Sequence, residues 1–238
     1  MPTEKARRQI SLTPLQIVLR ETMEVWGCPL CHLSQQAEET FVRSLSYERV
    51  LDLKTRAGLQ ASHGLCAIHS QMWLHVKGGS LGVAIVYRDV LRHLIEAGES
   101  ATEPVRGFRR KRSSLDGFVA HLSPEEPCPA CEIGAAAVER FGRLLLEDIE
   151  DPDLQTLLVS CGGLCVPHLQ IVLNNCKATA KARSSLVAVQ LAAWQQLLLD
   201  LDEFIRKNDY RFCDEALTEG EGTAWRRVIR VLVGSRSD

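Results

Sequence analysis

The sequence predicts an all-α fold: two tandem helical metal-binding repeats related by a pseudo-twofold, closed by a C-terminal helix. Three observations carry this expectation. Apolar residues recur at helical spacing over most of the chain, strand-like alternation is scarce, and one pair of cysteine motifs occurs twice.

In chain order, 15–26 reads as a helix and leads to Cys28-Pro29-Leu30-Cys31. The helix after it places Leu33, Ala37, Phe41 and Leu45 on one face. A further helix over 47–59 precedes the turn Gly64-Leu65-Cys66-Ala67-Ile68-His69, and a long helix then carries Val83, Val86, Tyr87, Val90, Leu91, Leu94 and Ile95. The stretch 98–117, with Arg106, Arg109, Arg110, Lys111 and Arg112, has the composition of a linker between a first repeat over 1–97 and a second over 118–238. A solvated linker is favoured over contact with nucleic-acid phosphates, because five basic residues leave a weak electrostatic footprint. The second repeat follows the same order. Cys128-Pro129-Ala130-Cys131 opens a helix with Ile133, Ala137, Phe141 and Leu145 on one face, and a helix over 152–159 precedes Gly163-Leu164-Cys165-Val166-Pro167-His168. A long helix with Leu191, Trp194, Leu198, Leu201 and Ile205 comes next, and a last helix presenting Trp225, Val228, Ile229 and Leu232 is expected to cap the bundle.

Composition bounds the function. At 238 residues the chain buries a core without crosslinks, and 45% hydrophobic with 24% charged residues excludes collagen-like, low-complexity and wholly disordered classes. The 28 Lys and Arg against 30 Asp and Glu leave a net charge of -2, which argues against a nucleic-acid binder held by overall charge. The N-terminus lacks the apolar core of a signal peptide and no apolar run reaches membrane-spanning length, so neither export nor a membrane span is expected and a cytoplasmic location is. Nine cysteines in such a chain read as reduced thiols and metal ligands rather than a disulfide framework.

The copies align with an offset of 100 at the first motif and 99 at the second, and 14 of 29 aligned positions are identical, which points to duplication. Two cysteines separated by two residues direct both sulfurs at one ion, and the proline between them fixes φ so that the turn is partly preformed. Cys-x-x-His puts its donors at i and i+3 of a helix start, where Pro167 is tolerated and the positive helix end favours thiolate. The expected zinc sites are therefore two closed Cys3His quartets, Cys28, Cys31, Cys66 and His69 in the first repeat and Cys128, Cys131, Cys165 and His168 in the second. An iron-sulfur cluster, with electron transfer as its role, is the alternative cofactor, although ferredoxin spacings are absent. Zinc release on thiol oxidation would make the same ligands a redox sensor. Thiol-disulfide catalysis needs the reactive cysteine after a strand, and no strand pattern precedes Cys28 or Cys128. His32, His63, His75, His93 and His121 lack partners at metal spacing, Cys161 reads as a small buried residue, and Cys176 and Cys213 carry no pattern. No acid-base pair, phosphate loop or Ser-His-Asp signature stands out, so catalysis is not required and a protein partner is expected for an interaction or regulatory module.

The two CPxC and Gly-x-Cys-x-x-His halves, followed by Asp209-Tyr210-Arg211-Phe212 and the helix containing Trp225, resemble an uncharacterised bacterial domain family over about 15–234. The resemblance implies a bacterial origin and this helical architecture, and it assigns no catalytic residue.

Overall fold

The structure, a computed structural model, describes residues 12–49, 51–102, 112–212 and 214–235. Among them are eleven α-helices and no strand, as the periodicity predicts. The helices are α1 (Pro14–Thr22), α2 (Pro29–Ser44), α3 (Leu53–Ala61), α4 (Ala67–Leu74), α5 (Ser80–Thr102) and α6 (Arg112–His121), then α7 (Pro129–Asp148), α8 (Pro152–Ser160), α9 (Val166–Asn175), α10 (Ala180–Lys207) and α11 (Glu219–Val233). Of the stretch expected as a linker, 98–102 ends α5 and 112–117 opens α6, while Arg106, Arg109, Arg110 and Lys111 lie outside the described residues.

Local chemistry sets the starts. Thr13 and Gln16 form a capping box around Pro14 at α1, and Thr218 with Glu221 does the same at α11. The expected helix over 47–59 is divided. A π-helical turn, Leu45–Arg49, follows α2, and the Asp52 carboxylate then accepts the Thr55 N–H at 2.8 Å, which starts α3 afresh.

The chain divides into two units, one of Met1–Gln35 with Ala137–Asp238 and one of Gln36–Ala136, called outer and inner for their order along the sequence alone. In the inner unit, Phe41, Val42, Leu45, Leu59, Leu65, Trp73 and Val86 form one buried cluster. Trp73 lies wholly inside because its indole N–H donates to Ser46 Oγ at 2.8 Å. Val86 and Val90 of the predicted α5 stripe are buried, whereas Leu91 and Ile95 are exposed.

In the outer unit, Leu19, Ile149, Leu154, Leu158, Leu164, Val172 and Leu186 are fully buried. Here α10 packs on α8 and α11, and α11 on α9. The buried face of α10 is Leu186, Val189, Gln190, Ala193 and Leu197; of the predicted stripe, Trp194 and Leu201 pack partly buried against the Leu197 cluster, while Leu191, Leu198 and Ile205 are exposed. Likewise α11 buries Ala224 and Val231 against Leu197, with the predicted Val228 partly buried beside them, and Trp225, Ile229 and Leu232 are exposed. Small alanines permit close helix approach and Gln190 is needed inside for its hydrogen bonds, so hydropathy alone finds only part of the buried face.

Candidate metal centre

All eight predicted donors converge, in two quartets, but the pairing is exchanged between the halves. Cys28 and Cys31 meet Cys165 and His168 in the outer unit, and Cys66 and His69 meet Cys128 and Cys131 in the inner unit. The expectation that each half closes its own site is therefore corrected. The physical reason lies in main-chain bonds beside the motifs. Gly27 N–H donates to the Cys161 carbonyl at 2.7 Å, tying the first CPxC turn to the second Gly-Leu-Cys turn. Glu125 N–H donates to the Ala61 carbonyl at 2.9 Å, tying the second CPxC turn to the first.

Each donor occupies a helix start. Cys66 and Cys165 are the N-cap residues of α4 and α9, in extended conformation, which puts His69 and His168 one turn in. Cys28 and Cys128 stand just before α2 and α7, their carbonyls accept the N–H groups of His32 and Glu132, and Cys31 and Cys131 sit one turn in. Every centre thus faces two helix N-termini, whose unpaired N–H groups and positive dipole ends favour thiolate.

The glycine turns need residues that the motif does not contain. Gly64 has φ +89° and Gly163 φ +77°, values natural only to glycine. In the inner unit Tyr87 of α5 accepts the Leu65 N–H at 3.2 Å and shares a 2.6 Å bond with Ser70. In the outer unit the Gln190 amide of α10 brackets Leu164, accepting its N–H at 2.8 Å and donating to its carbonyl at 3.1 Å. Each turn is therefore held by a polar side chain of the long helix that follows it. Periodicity marks Tyr87 only as a core residue and passes over Gln190 altogether.

In each quartet the four donor atoms lie within 4.8 Å of one another. A tetrahedral ion with metal-sulfur distances of about 2.3 Å and metal-nitrogen of about 2.05 Å spaces sulfurs about 3.8 Å apart and sulfur from nitrogen about 3.6 Å. In the outer centre His168 Nδ1 lies 3.4, 3.3 and 3.3 Å from the sulfurs of Cys28, Cys31 and Cys165, and Cys31 lies 3.7 Å from Cys165. In the inner centre His69 Nδ1 lies 3.2, 3.6 and 3.5 Å from Cys66, Cys128 and Cys131, and Cys66 lies 3.8 Å from Cys131. These four spacings in each quartet match the edges that a tetrahedral ion would set, and the sulfurs whose spacing is given are too far apart for disulfides. The donor set and its spacing fit a metal.

The surroundings differ. Cys28, Cys31 and Cys165 are buried while His168 is partly exposed, and the Ser235 N–H reaches Cys31 Sγ at 3.5 Å. In the inner centre the three cysteines are partly exposed and His69 is completely buried, its Nε2 3.0 Å from Glu38 Oε2. The remaining candidates stay outside both quartets. Cys161 is buried, with its thiol raised to about 11 by burial, and Cys176 is buried next to the Glu139 carbonyl. Cys213 lies outside the described residues. His32 and His63 are partly exposed, His75 is exposed, and His93 and His121 form an edge-on pair at 5.8 Å.

Protons compete for the donors. Burial, then hydrogen bonds with Cys165 and Cys31, pushes the Cys28 thiol well above its ordinary range, while hydrogen bonds from Cys165 and Cys28 hold Cys31 far below it as thiolate. Burial opposes a charge on His168, yet Cys165 and Cys31 outweigh it and raise the imidazole to about 10. Burial, with Cys128 and Cys66 nearby, pushes Cys131 up to about 12. Cys66 is also disfavoured by burial, but the His69 backbone N–H and the Cys131 and Cys128 thiols lower it to about 7. At neutral pH the metal-free protein therefore holds protons on Cys28, His168 and Cys131. A metal displaces them, the loaded state binds fewer protons, and affinity falls as the pH falls. Metal uptake near pH 7 should acidify a weakly buffered solution, and uptake without proton release would contradict these assignments.

Fold and site together define a helical protein with two candidate metal centres of three cysteines and one histidine. The chain belongs to the family of unknown function DUF6062, whose family model matches residues 7–238. It is also similar to an uncharacterized 23.9 kDa protein in the xynA 3′ region of Caldicellulosiruptor sp. (strain Rt8B.4), with 25% identity over 209 residues that cover 88% of this chain and 96% of that one. No solved structure matches. Among the described residues no helix is long and apolar enough to cross a membrane.

Proposed function

We propose that each centre holds one zinc ion as a structural crosslink, and that the protein is an interaction or regulatory module for a protein partner in a reducing cytoplasm. The observation that carries this reading is the pair of quartets, each of four protein donors within 4.8 Å of one another and with sulfur-nitrogen distances of 3.2 to 3.6 Å, which a tetrahedral ion would fit. A closed N/S tetrahedron is the pattern of structural zinc, and it leaves no coordination position open for a substrate. The enclosed space suits a single ion better than the multi-iron core of a cluster. In the outer unit such an ion joins the CPxC turn to the start of α9, and in the inner unit it joins α4 to the start of α7.

Elemental analysis and an absorption spectrum of anaerobically purified protein test this. The expected result is two zinc per chain and no band near 400 nm. A coloured, iron-bearing preparation, or a chain purified with no stoichiometric metal, would overturn it.

A further inference from the structure

The two centres are built from the same donor types, but among the described residues a buried carboxylate stands behind only one of the histidines. Glu38 lies on α2 and is 8% exposed, and its Oε2 is 3.0 Å from Nε2 of His69, which is 0% exposed. The other ring nitrogen of His69 faces the sulfurs of Cys66, Cys128 and Cys131. A neutral imidazole whose Nε2 donates to a carboxylate carries its one proton there, which leaves the Nδ1 lone pair aimed at the three sulfurs. At the aligned position of the second half stands Val138, which has no acceptor. Among the described residues, the hydrogen bonds of His168 are all made through Nδ1 to cysteine sulfur.

Burying a carboxylate is costly unless a partner compensates it. A histidine that needs only to fill space would not require one. We infer that Glu38 is a positioning residue of the inner centre: it fixes the tautomer and orientation of His69 and strengthens Nδ1 as a metal donor. The carboxylate cannot itself be a ligand, since it contacts the ring nitrogen on the side away from the sulfurs. Outer-shell partners of this kind change metal affinity by about 10- to 100-fold. This inference rests on the proposed metal reading, and its test separates the two.

Full-length wild type, Glu38→Ala and Glu38→Gln are loaded with Co²⁺ or Zn²⁺ and titrated against a chelator of known affinity. The d–d bands and sulfur-to-cobalt charge-transfer absorption count the filled centres. With Glu38→Ala, one centre should weaken about 10- to 100-fold while the other keeps its wild-type affinity. Glu38→Gln preserves volume and an acceptor but not the charge, so the loss should be smaller. In the metal-free protein, long-range ¹H–¹⁵N correlations of His69 should show the Nε2–H tautomer in wild type and a mixture in Glu38→Ala. Two unchanged affinities in folded Glu38→Gln and Glu38→Ala, or a His69 tautomer that does not respond, would overturn the inference. A Glu38→Ala chain that fails to fold leaves Glu38→Gln to decide by the same affinity and tautomer readings. Failure of the wild type to bind any metal would instead sink the metal reading.

Discussion

Serine in place of Cys165 should remove the same metal ion that serine in place of Cys28 removes, and leave the other ion bound. Both residues contribute sulfur to the outer centre, although 137 positions separate them, while Cys66 and Cys128 share the inner one. A serine hydroxyl is a far poorer ligand than a thiolate for a soft site, so each single variant should lose one equivalent. Pairs of substitutions then discriminate sharply. Cys28→Ser with Cys165→Ser should still bind one ion, because both changes fall on one centre. Cys28→Ser with Cys66→Ser should bind none, because each centre is broken once. Closure within each half predicts the reverse for both pairs. Structural zinc contributes apparent free energies of roughly 10 to 16 kcal/mol in isolated fingers. Here each unit also has a buried core, so losing an ion should destabilise its own unit by a smaller amount, on the order of several kcal/mol. Metal counts and denaturant midpoints read both effects.

A single methyl group at Gly163 should be nearly as damaging to the outer centre. The residue has φ +77°, and an added Cβ would lie 2.5 Å from the Gln190 Nε2 and 2.8 Å from its Oε1. Left-handed backbone costs a non-glycine residue about 1 to 2 kcal/mol. Displacing the amide would also strip Leu164 of both its bonds to Gln190, and an unpaired buried polar group costs about 1 to 3 kcal/mol more. Gly163→Ala should therefore lose about 2 to 5 kcal/mol of stability and, with Cys165 two residues on, weaken metal binding at the outer centre only. Gly222→Ala is the matched control. It lies within α11 with nothing within 4 Å of its added Cβ, so it should be neutral or stabilising by up to about 1 kcal/mol. Equal behaviour of the two variants would contradict this account of the turn.

The donors were legible in the sequence because ligation dictates residue type and spacing locally. Cys-x-x-Cys and Cys-x-x-His can each be recognised without knowing the fold, and Pro167 together with the i, i+3 spacing of Cys-x-x-His marks a helix start. Which pair meets which was not legible. Either pairing uses the same donors, and closing a loop of about four times the length costs only about 1 kcal/mol more. The choice is made by backbone bonds such as Gly27 to Cys161, and by the fit of Trp26, whose ring would lie 2.9 Å from a Cβ at Gly162. No composition or period encodes those contacts. The all-helical class was legible for the opposite reason, since it depends on the sum of many periodic positions. Periodicity finds Trp194, Leu201 and Val228 at the edge of the buried faces of α10 and α11 but not their centres, because small and polar residues, Ala193, Ala224 and Gln190, occupy them. Glu38 carried no signal either, as one of two adjacent glutamates on α2, with valine at its aligned position in the other half.

The exchanged pairing is read most directly by loading the protein with ¹¹³Cd and correlating each metal resonance with the β-protons of the cysteines bound to it. Two cadmium signals are expected, one coupled to Cys28, Cys31 and Cys165 and the other to Cys66, Cys128 and Cys131. A signal that joins Cys28 and Cys31 to Cys66, or a chain that gives no thiolate-bound cadmium at all, would contradict the account.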